Sequence, residues 1–145
     1  MADTAKQPAA DEWERMLSGE LYVADSPQQH DANMRKRRLV QAINTSKYDA
    51  FKERDELFHE LFGAFGEGGF VEPPFNCDYG CNTFIGKNFY ANMDCIFLDV
   101  ARINIVDSVF FGPRESMYTP YHPIEAAVRS SGPEGARPIT IGNDV

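Results

Sequence analysis

Apolar residues from Asp11 to Phe65 recur at helical spacing, whereas those after Phe75 follow another rule. In "DEWERMLSGELY", Trp13, Met16 and Leu17 share one helical face, and Gly19 is positioned to stop the helix. "VADSPQQHDAN" reads as a loop with turn chemistry at Asp25, Ser26 and Pro27. "ANMRKRRLVQAIN" predicts a second helix with Met34, Val40 and Ile43 turned inward. "TSKYDAFKERDELFHELFGAF" predicts a third. Phe51, Phe58, Leu61, Phe62 and Phe65 repeat along it, and Ser46 can cap its start. "GEGGFVEPPFN" then breaks the helical pattern.

From Phe75 to Phe111 the chain is aromatic, β-branched and punctuated by Gly, Asn and Asp. Ile85, Ala91, Phe97 and Ile103 fall on every sixth residue. After a two-residue slip the phase returns at Ile105, Phe111 and Met117, and "ITIGNDV" restarts it at Ile141. Six residues fit neither an α-helix nor an alternating strand pair. They fit short strands joined by tight turns, three to a triangular coil, with one apolar side chain inward per strand. Such a coil cannot bury its own face and must stack on others. Arg114, Glu115 and Ser116 interrupt the pattern, predicting a bulge or a loss of packing.

Composition narrows the classes. The 145 residues suffice for one domain or a domain with a small appendage. A net charge of −8 is opposite to that of a general nucleic-acid binder. No apolar run approaches membrane-spanning length, and "MADTAKQPAADEWE" lacks a secretory pattern. With Cys77, Cys81 and Cys95 this gives the expectation of a cytoplasmic protein in a reducing compartment, free of nucleic-acid and membrane partners. Residues 1–9 are small and polar and are expected to be disordered.

Candidate chemistry is sparse. "SMYTPYHPIE" holds His122 in a stiff, irregular segment; as residues alone, it is a base or an ordinary loop histidine on Tyr121. Cys77 and Cys81 are four apart, but no second pair follows, so no metal is expected. Cys95 has no activating base nearby in the sequence. His30 and His59 read as surface or helix-packing residues, and Arg35–Arg38 as a solvated helical face or part of a ligand cleft.

Three blocks carry a more specific signal: "SGELY", "VEPPFNCDYGCNTFIGKNFYANMDCIFLDV" and "YTPYHPIEAAVRSSGPEGARPITIGNDV". Together they resemble the maltose/galactoside O-acetyltransferases, a family of hexapeptide-repeat transferases. The resemblance implies a mainly β fold with a helical cap. That fold is a left-handed parallel β-helix, incomplete here, preceded by two to three α-helices. It divides the chain into a disordered 1–9, a helical cap at 10–70, and first coils at 71–145 with an extruded loop near 113–138. It also implies homotrimers with sites between subunits, and further coils beyond Val145.

The chemistry implied is acetyl transfer from acetyl-CoA to a sugar hydroxyl, on a maltose-, glucose- or galactoside-like acceptor, without a metal. His122 matches the family's general base in its "HP" pair. Imidazole suits that role because it titrates near working pH. Asp25, Asp78 and Asn92 match acceptor-binding positions, and Glu134 matches an acidic position that orients the base or contacts the acceptor. Asn92 is otherwise a coil-corner asparagine in a left-handed conformation, and Glu134 an exposed loop residue. One basic position of the family is Asn33 here. The alternative reading is a catalytically inactive remnant that serves as a binding or oligomerisation module.

Overall fold

The computed structural model describes residues 11–145; the expectation for residues 1–9 lies outside them. Helix α1 (Glu12–Ser18) starts where the Asp11 carboxylate accepts the Trp13 N–H, and ends at Gly19, whose φ of 86° is left-handed. Trp13 and Met16 are its buried residues.

Helix α2 (Pro27–Asn44) begins earlier than the sequence pattern suggested. Ser26 Oγ accepts the Gln29 N–H at 3.2 Å, and Gln29 Oε1 accepts the Ser26 N–H at 2.9 Å. This capping box, with Pro27 just inside, turns the expected loop into a helical start. Leu39 and Ile43 form the buried face, while Met34, expected inward, is 52% exposed.

Helix α3 (Phe51–Leu61) has Ala50 at its N-cap, so Ser46 does not cap it. The Ser46 hydroxyl instead donates to the Ile43 carbonyl and accepts from the buried Arg54 guanidinium, both at 2.7 Å. Phe51, also expected inward, is exposed, whereas Phe58, Leu61 and Phe62 are buried.

Ten short strands then build three parallel sheets. The first holds β1 (Ala64–Phe65), β4 (Thr83–Ile85), β7 (Ile103–Ile105) and β12 (Ile139–Ile141). The second holds β2 (Phe70–Val71), β5 (Tyr90–Ala91) and β8 (Phe110–Phe111). The third holds β3 (Phe75–Cys77), β6 (Cys95–Leu98) and β9 (Ser116–Tyr118). The chain visits the sheets in rotation and returns to each after twenty residues, as in Phe65, Ile85 and Ile105. Pairing starts at Ala64, inside the stretch expected for the cap.

The six-residue repeat is the inward set. Val71, Ala91 and Phe111 align in one sheet, and Cys77, Phe97 and Met117 in another, all buried. Corners repeat with the same coil length. Gly68, Asn88 and Ser108 each follow an inward residue by three positions, with φ of 74°, 55° and 59°. Asn92 is not in that conformation; its side chain accepts the Met93 N–H. Nor does Arg114–Ser116 cost packing: Arg114 is a left-handed corner at φ 62°, and Met117 fills the inward slot.

Aromatic side chains fill the axis. Phe97 stands edge-on to Phe75 at 5.1 Å and to Phe111 at 5.9 Å between ring centroids. Phe97→Ala is expected to lower unfolding free energy by about 3–5 kcal/mol, read from denaturant midpoints, because the void has rigid strands around it. The Asn44 side chain donates to the Phe75 carbonyl and accepts its N–H, both at 2.9 Å, docking the helices on the coil.

After β9 the chain leaves the coil. It forms β10 (Pro120–Tyr121), α4 (Ala126–Ser130) and β11 (Gly135–Ala136), then rejoins the first sheet at β12. Strands β10 and β11 pair antiparallel, so the excursion is a hairpin that starts after Tyr118, later than residue 113.

Candidate active site

The hairpin brings His122 and Glu134 together. They flank the β10–β11 ladder, in which Tyr121 faces Gly135. His122 Nε2 lies 3.7 Å from Glu134 Oε2. The imidazole is 62% exposed and the glutamate side chain 22%. The ring is therefore accessible to a reactant, with a carboxylate near its Nε2 edge.

Tyr22 fixes this arrangement from the cap side. Its N–H donates to the Glu134 carbonyl and its carbonyl accepts the Glu134 N–H, both at 3.0 Å. The Tyr22 ring is buried, and its phenol is pushed up first by burial and then by the Glu134 carboxylate beside it. Tyr22 thus stays a neutral group that holds the loop.

Asp78 and Tyr79 approach from the coil turn after β3. Trp13 packs edge-on against Tyr79 with ring centroids 5.1 Å apart. Burial, then the charges of Asp78 and Glu134, push Tyr79 up to about 12. Asp78 is pushed up to about 6 by burial and by Asp99, with Lys36 of α2 opposing. The folded chain therefore holds the Asp78 proton to higher pH than the unfolded one. Its contribution to stability falls as pH rises from about 4 through about 6, the reverse of an ion-paired carboxylate.

Asp25 lies on a neighbouring pocket of about 260 Å³, lined by Ala24, Ser26, Gln29, His30, Asn33 and Tyr79. Tyr79 joins this pocket to the Asp78 cluster. Asn33 Oδ1 already accepts Arg37 Nε at 2.8 Å. Within the basic run, Arg35 donates to the Glu60 carbonyl, Arg38 pairs with Glu60 at 3.0 Å, and Lys36 faces Asp78. Both readings of the run thus apply: Arg38 is exposed, and Lys36 contributes charge beside the site.

Asn92 stands elsewhere. It lines an open depression with Tyr90, Phe110, Phe111 and Gly112, at the corner between the second and third sheets. The His122 hairpin leaves the opposite end of the third sheet. Strand β6 between them has four residues, a span of about 13 Å. His122, Glu134, Asp78 and Asp25 therefore share one end of the fold, and Asn92 belongs to the other.

Two contributors were not singled out in the sequence: Tyr22 and Tyr79. Tyr22 and Tyr79 lie inside "GELY" and "CDYG", so their blocks were visible while their mutual contact was not. Cys77 and Cys95 are buried free thiols whose ionisation burial suppresses, which makes them packing residues. No group of three or more metal-ligating side chains occurs among the described residues. No helix among them is long and apolar enough to cross a membrane.

Comparison with known proteins agrees with this architecture. Residues 15–66 match the maltose acetyltransferase hexapeptide capping motif. Nodulation protein L of Rhizobium meliloti is 35% identical over 132 residues, covering 91% of this chain and 72% of that protein. The structure of a maltose O-acetyltransferase from Clostridium difficile superposes with a TM-score of 0.88 at 40% identity, over 92% of this chain and 71% of the other. A galactoside acetyltransferase in complex with coenzyme A superposes with a TM-score of 0.87 at 33% identity, over 90% and 66% of the two chains. With its capping motif, its three sheets visited in rotation and these relatives, the chain belongs to the maltose/galactoside O-acetyltransferase family of hexapeptide-repeat acyltransferases.

Proposed function

We propose that this chain transfers an acetyl group from acetyl-CoA to a hydroxyl of a maltose-, glucose- or galactoside-like sugar, with His122 as general base. The observation that carries the reading is the His122–Glu134 pair on a hairpin clamped to the cap by Tyr22. A sugar hydroxyl is a poor nucleophile near neutral pH. The imidazole takes its proton as the oxygen attacks the thioester carbonyl. The tetrahedral adduct collapses, the carbon–sulfur bond breaks, and the imidazolium returns the proton to the departing CoA sulfur. Glu134 holds the ring and stabilises the transient imidazolium.

Asp25 and Asp78 line the acceptor side on the same chain. Asn92 serves the same reaction from a neighbouring copy, because within one chain the length of β6, about 13 Å, stands between it and the end of the third sheet from which the hairpin leaves. A homotrimer of left-handed parallel β-helices, located in the cytoplasm, satisfies this geometry. Phe110, exposed beside Asn92, gives the second sheet an apolar face for that contact. The coenzyme A complex of the galactoside acetyltransferase supports acetyl-CoA as the donor. The reading as an inactive binding module finds no observation in its favour, since the His122–Glu134 pair is assembled.

The experiment is release of free CoA thiol from acetyl-CoA in the presence of maltose, glucose or a methyl galactoside. Release that depends on at least one of these sugars is the expected outcome. Sugar-independent release, or none with any of them, would remove the sugar acceptor from the account.

A further inference from the structure

Asp99 is fully buried, and no lysine or arginine among the described residues pairs with it. Its Oδ1 accepts the N–H groups of Tyr79 and Gly80 at 2.8 and 3.1 Å. Its Oδ2 accepts the Asn82 N–H at 3.2 Å and the Thr83 hydroxyl at 3.0 Å. The Asn82 side chain closes the loop by donating to the Asp99 carbonyl at 2.9 Å. Every donor to the carboxylate comes from a single turn, residues 79–83, one coil below. Burial pushes the Asp99 carboxyl up, and the backbone N–H groups and the Thr83 hydroxyl on its two oxygens work against that shift.

That turn is the one that projects Asp78 and Tyr79 into the candidate site. Gly80 sits at φ 78°, and a Cβ there would lie 2.5 Å from Leu61 Cδ1. The turn is therefore wedged against α3 and needs an anchor on its other side. Asp99 is that anchor. Its charge also acts on Asp78, alongside Lys36 from α2 and Glu134 from the hairpin, and Asp78 in turn raises the phenols of Tyr22 and Tyr79.

We propose that Asp99 is a positioning residue for acceptor binding: its carboxylate fixes the 79–83 turn and through it the place of Asp78. The inference rests on the reading of Asp78 as an acceptor contact. Asparagine at this position keeps the size but presents an N–H₂ to backbone and hydroxyl donors, so part of the clamp becomes donor against donor. It also removes the negative charge beside Asp78.

The test compares wild type, Asp99→Asn, Thr83→Val and Asp78→Asn, with maltose as the probe acceptor. The readouts are the carboxyl titration of Asp78 by carbon NMR, amide exchange at Tyr79, Gly80 and Asn82, and steady-state kinetics. In Asp99→Asn the Asp78 midpoint moves down by about half a pH unit or more, as expected on losing a like charge. Exchange at the three amides quickens by about tenfold or more while that of the remaining coil is unchanged. The KM for maltose rises by about tenfold or more, and the KM for acetyl-CoA stays within about twofold. Thr83→Val, which retains the charge and loses one donor, quickens exchange and raises the maltose KM by about threefold without moving the Asp78 midpoint. It carries the test alone if Asp99→Asn does not fold.

A lower melting temperature with the Asp78 midpoint and the maltose KM unchanged would make Asp99 purely structural and overturn the proposal. If Asp78→Asn raises the maltose KM and neither clamp variant does, this proposal fails by itself. If Asp78→Asn leaves the maltose KM unchanged, the acceptor reading of Asp78 fails and takes this inference with it.

Discussion

His122→Ala lowers sugar-dependent CoA release by roughly 10²–10⁴-fold and leaves the fold intact, the range expected when a general base is removed. The two halves of that result have separate causes. The ring is 62% exposed and packs into no cluster of buried residues, so truncation opens no cavity. Stability is expected to stay within about 0.5 kcal/mol of wild type, which moves the melting temperature by only about 1–2 °C for a chain of this size. Chemistry loses its proton acceptor. Glu134 cannot replace it, because its carboxylate lies near the Nε2 edge of the ring and its backbone is paired to Tyr22 on both sides. A carboxylate is also a weaker base than imidazole near neutral pH. The loss therefore belongs in kcat, with the KM for acetyl-CoA little changed. An equal loss in melting temperature and turnover would instead point to a structural histidine.

Much of the coil was legible because the physics of a triangular stack is local: one inward residue per strand, one corner between strands. Ile85, Ala91, Phe97 and Ile103 therefore stand out in the chain, and all four are buried. The first coil was hidden. Phe65 continues the helical spacing of Phe58, Leu61 and Phe62, so a strand residue reads as the end of a helix. The start of α2 was hidden for a related reason. Ser26-Pro27 is equally good turn chemistry and helix-start chemistry, and Gln29 at the third helical position decides between them. Met34 and Phe51 sit at helical spacing yet face solvent, because the coil covers only the stripe carried by Leu39, Ile43, Phe58 and Leu61.

The candidate site was legible in parts. His122 and Glu134 are twelve residues apart, and nothing in "PY" and "GA" announces that the strands carrying them pair. Resemblance supplied both residues, and the hairpin is what places them 3.7 Å apart. Tyr22 lies more than a hundred positions from Glu134, a contact that no spacing rule reaches. Asp99 shows the opposite case. It follows Tyr79 by twenty residues, the length of one coil, so the stacking of Asp99 over the turn is implied by the repeat itself.

The second large effect concerns Asn92. Within one chain Asn92 and His122 lie at opposite ends of the third sheet, so the account assigns them to one site only through two copies. Alanine at either position should abolish most turnover when the variant assembles with itself. In a random one-to-one mixture, an interface pairs an intact His122 with an intact Asn92 in about one case in four, as expected for a cyclic assembly with one site per interface. Residues of the same chain cannot complement in this way.

The decisive measurement is CoA release by His122→Ala and Asn92→Ala chains, each alone and after co-refolding in equal amounts. Recovery to about a quarter of the wild-type rate, from two variants that are nearly inactive separately, is the result predicted by a site shared between copies. A mixture no faster than the mean of its two components would contradict it.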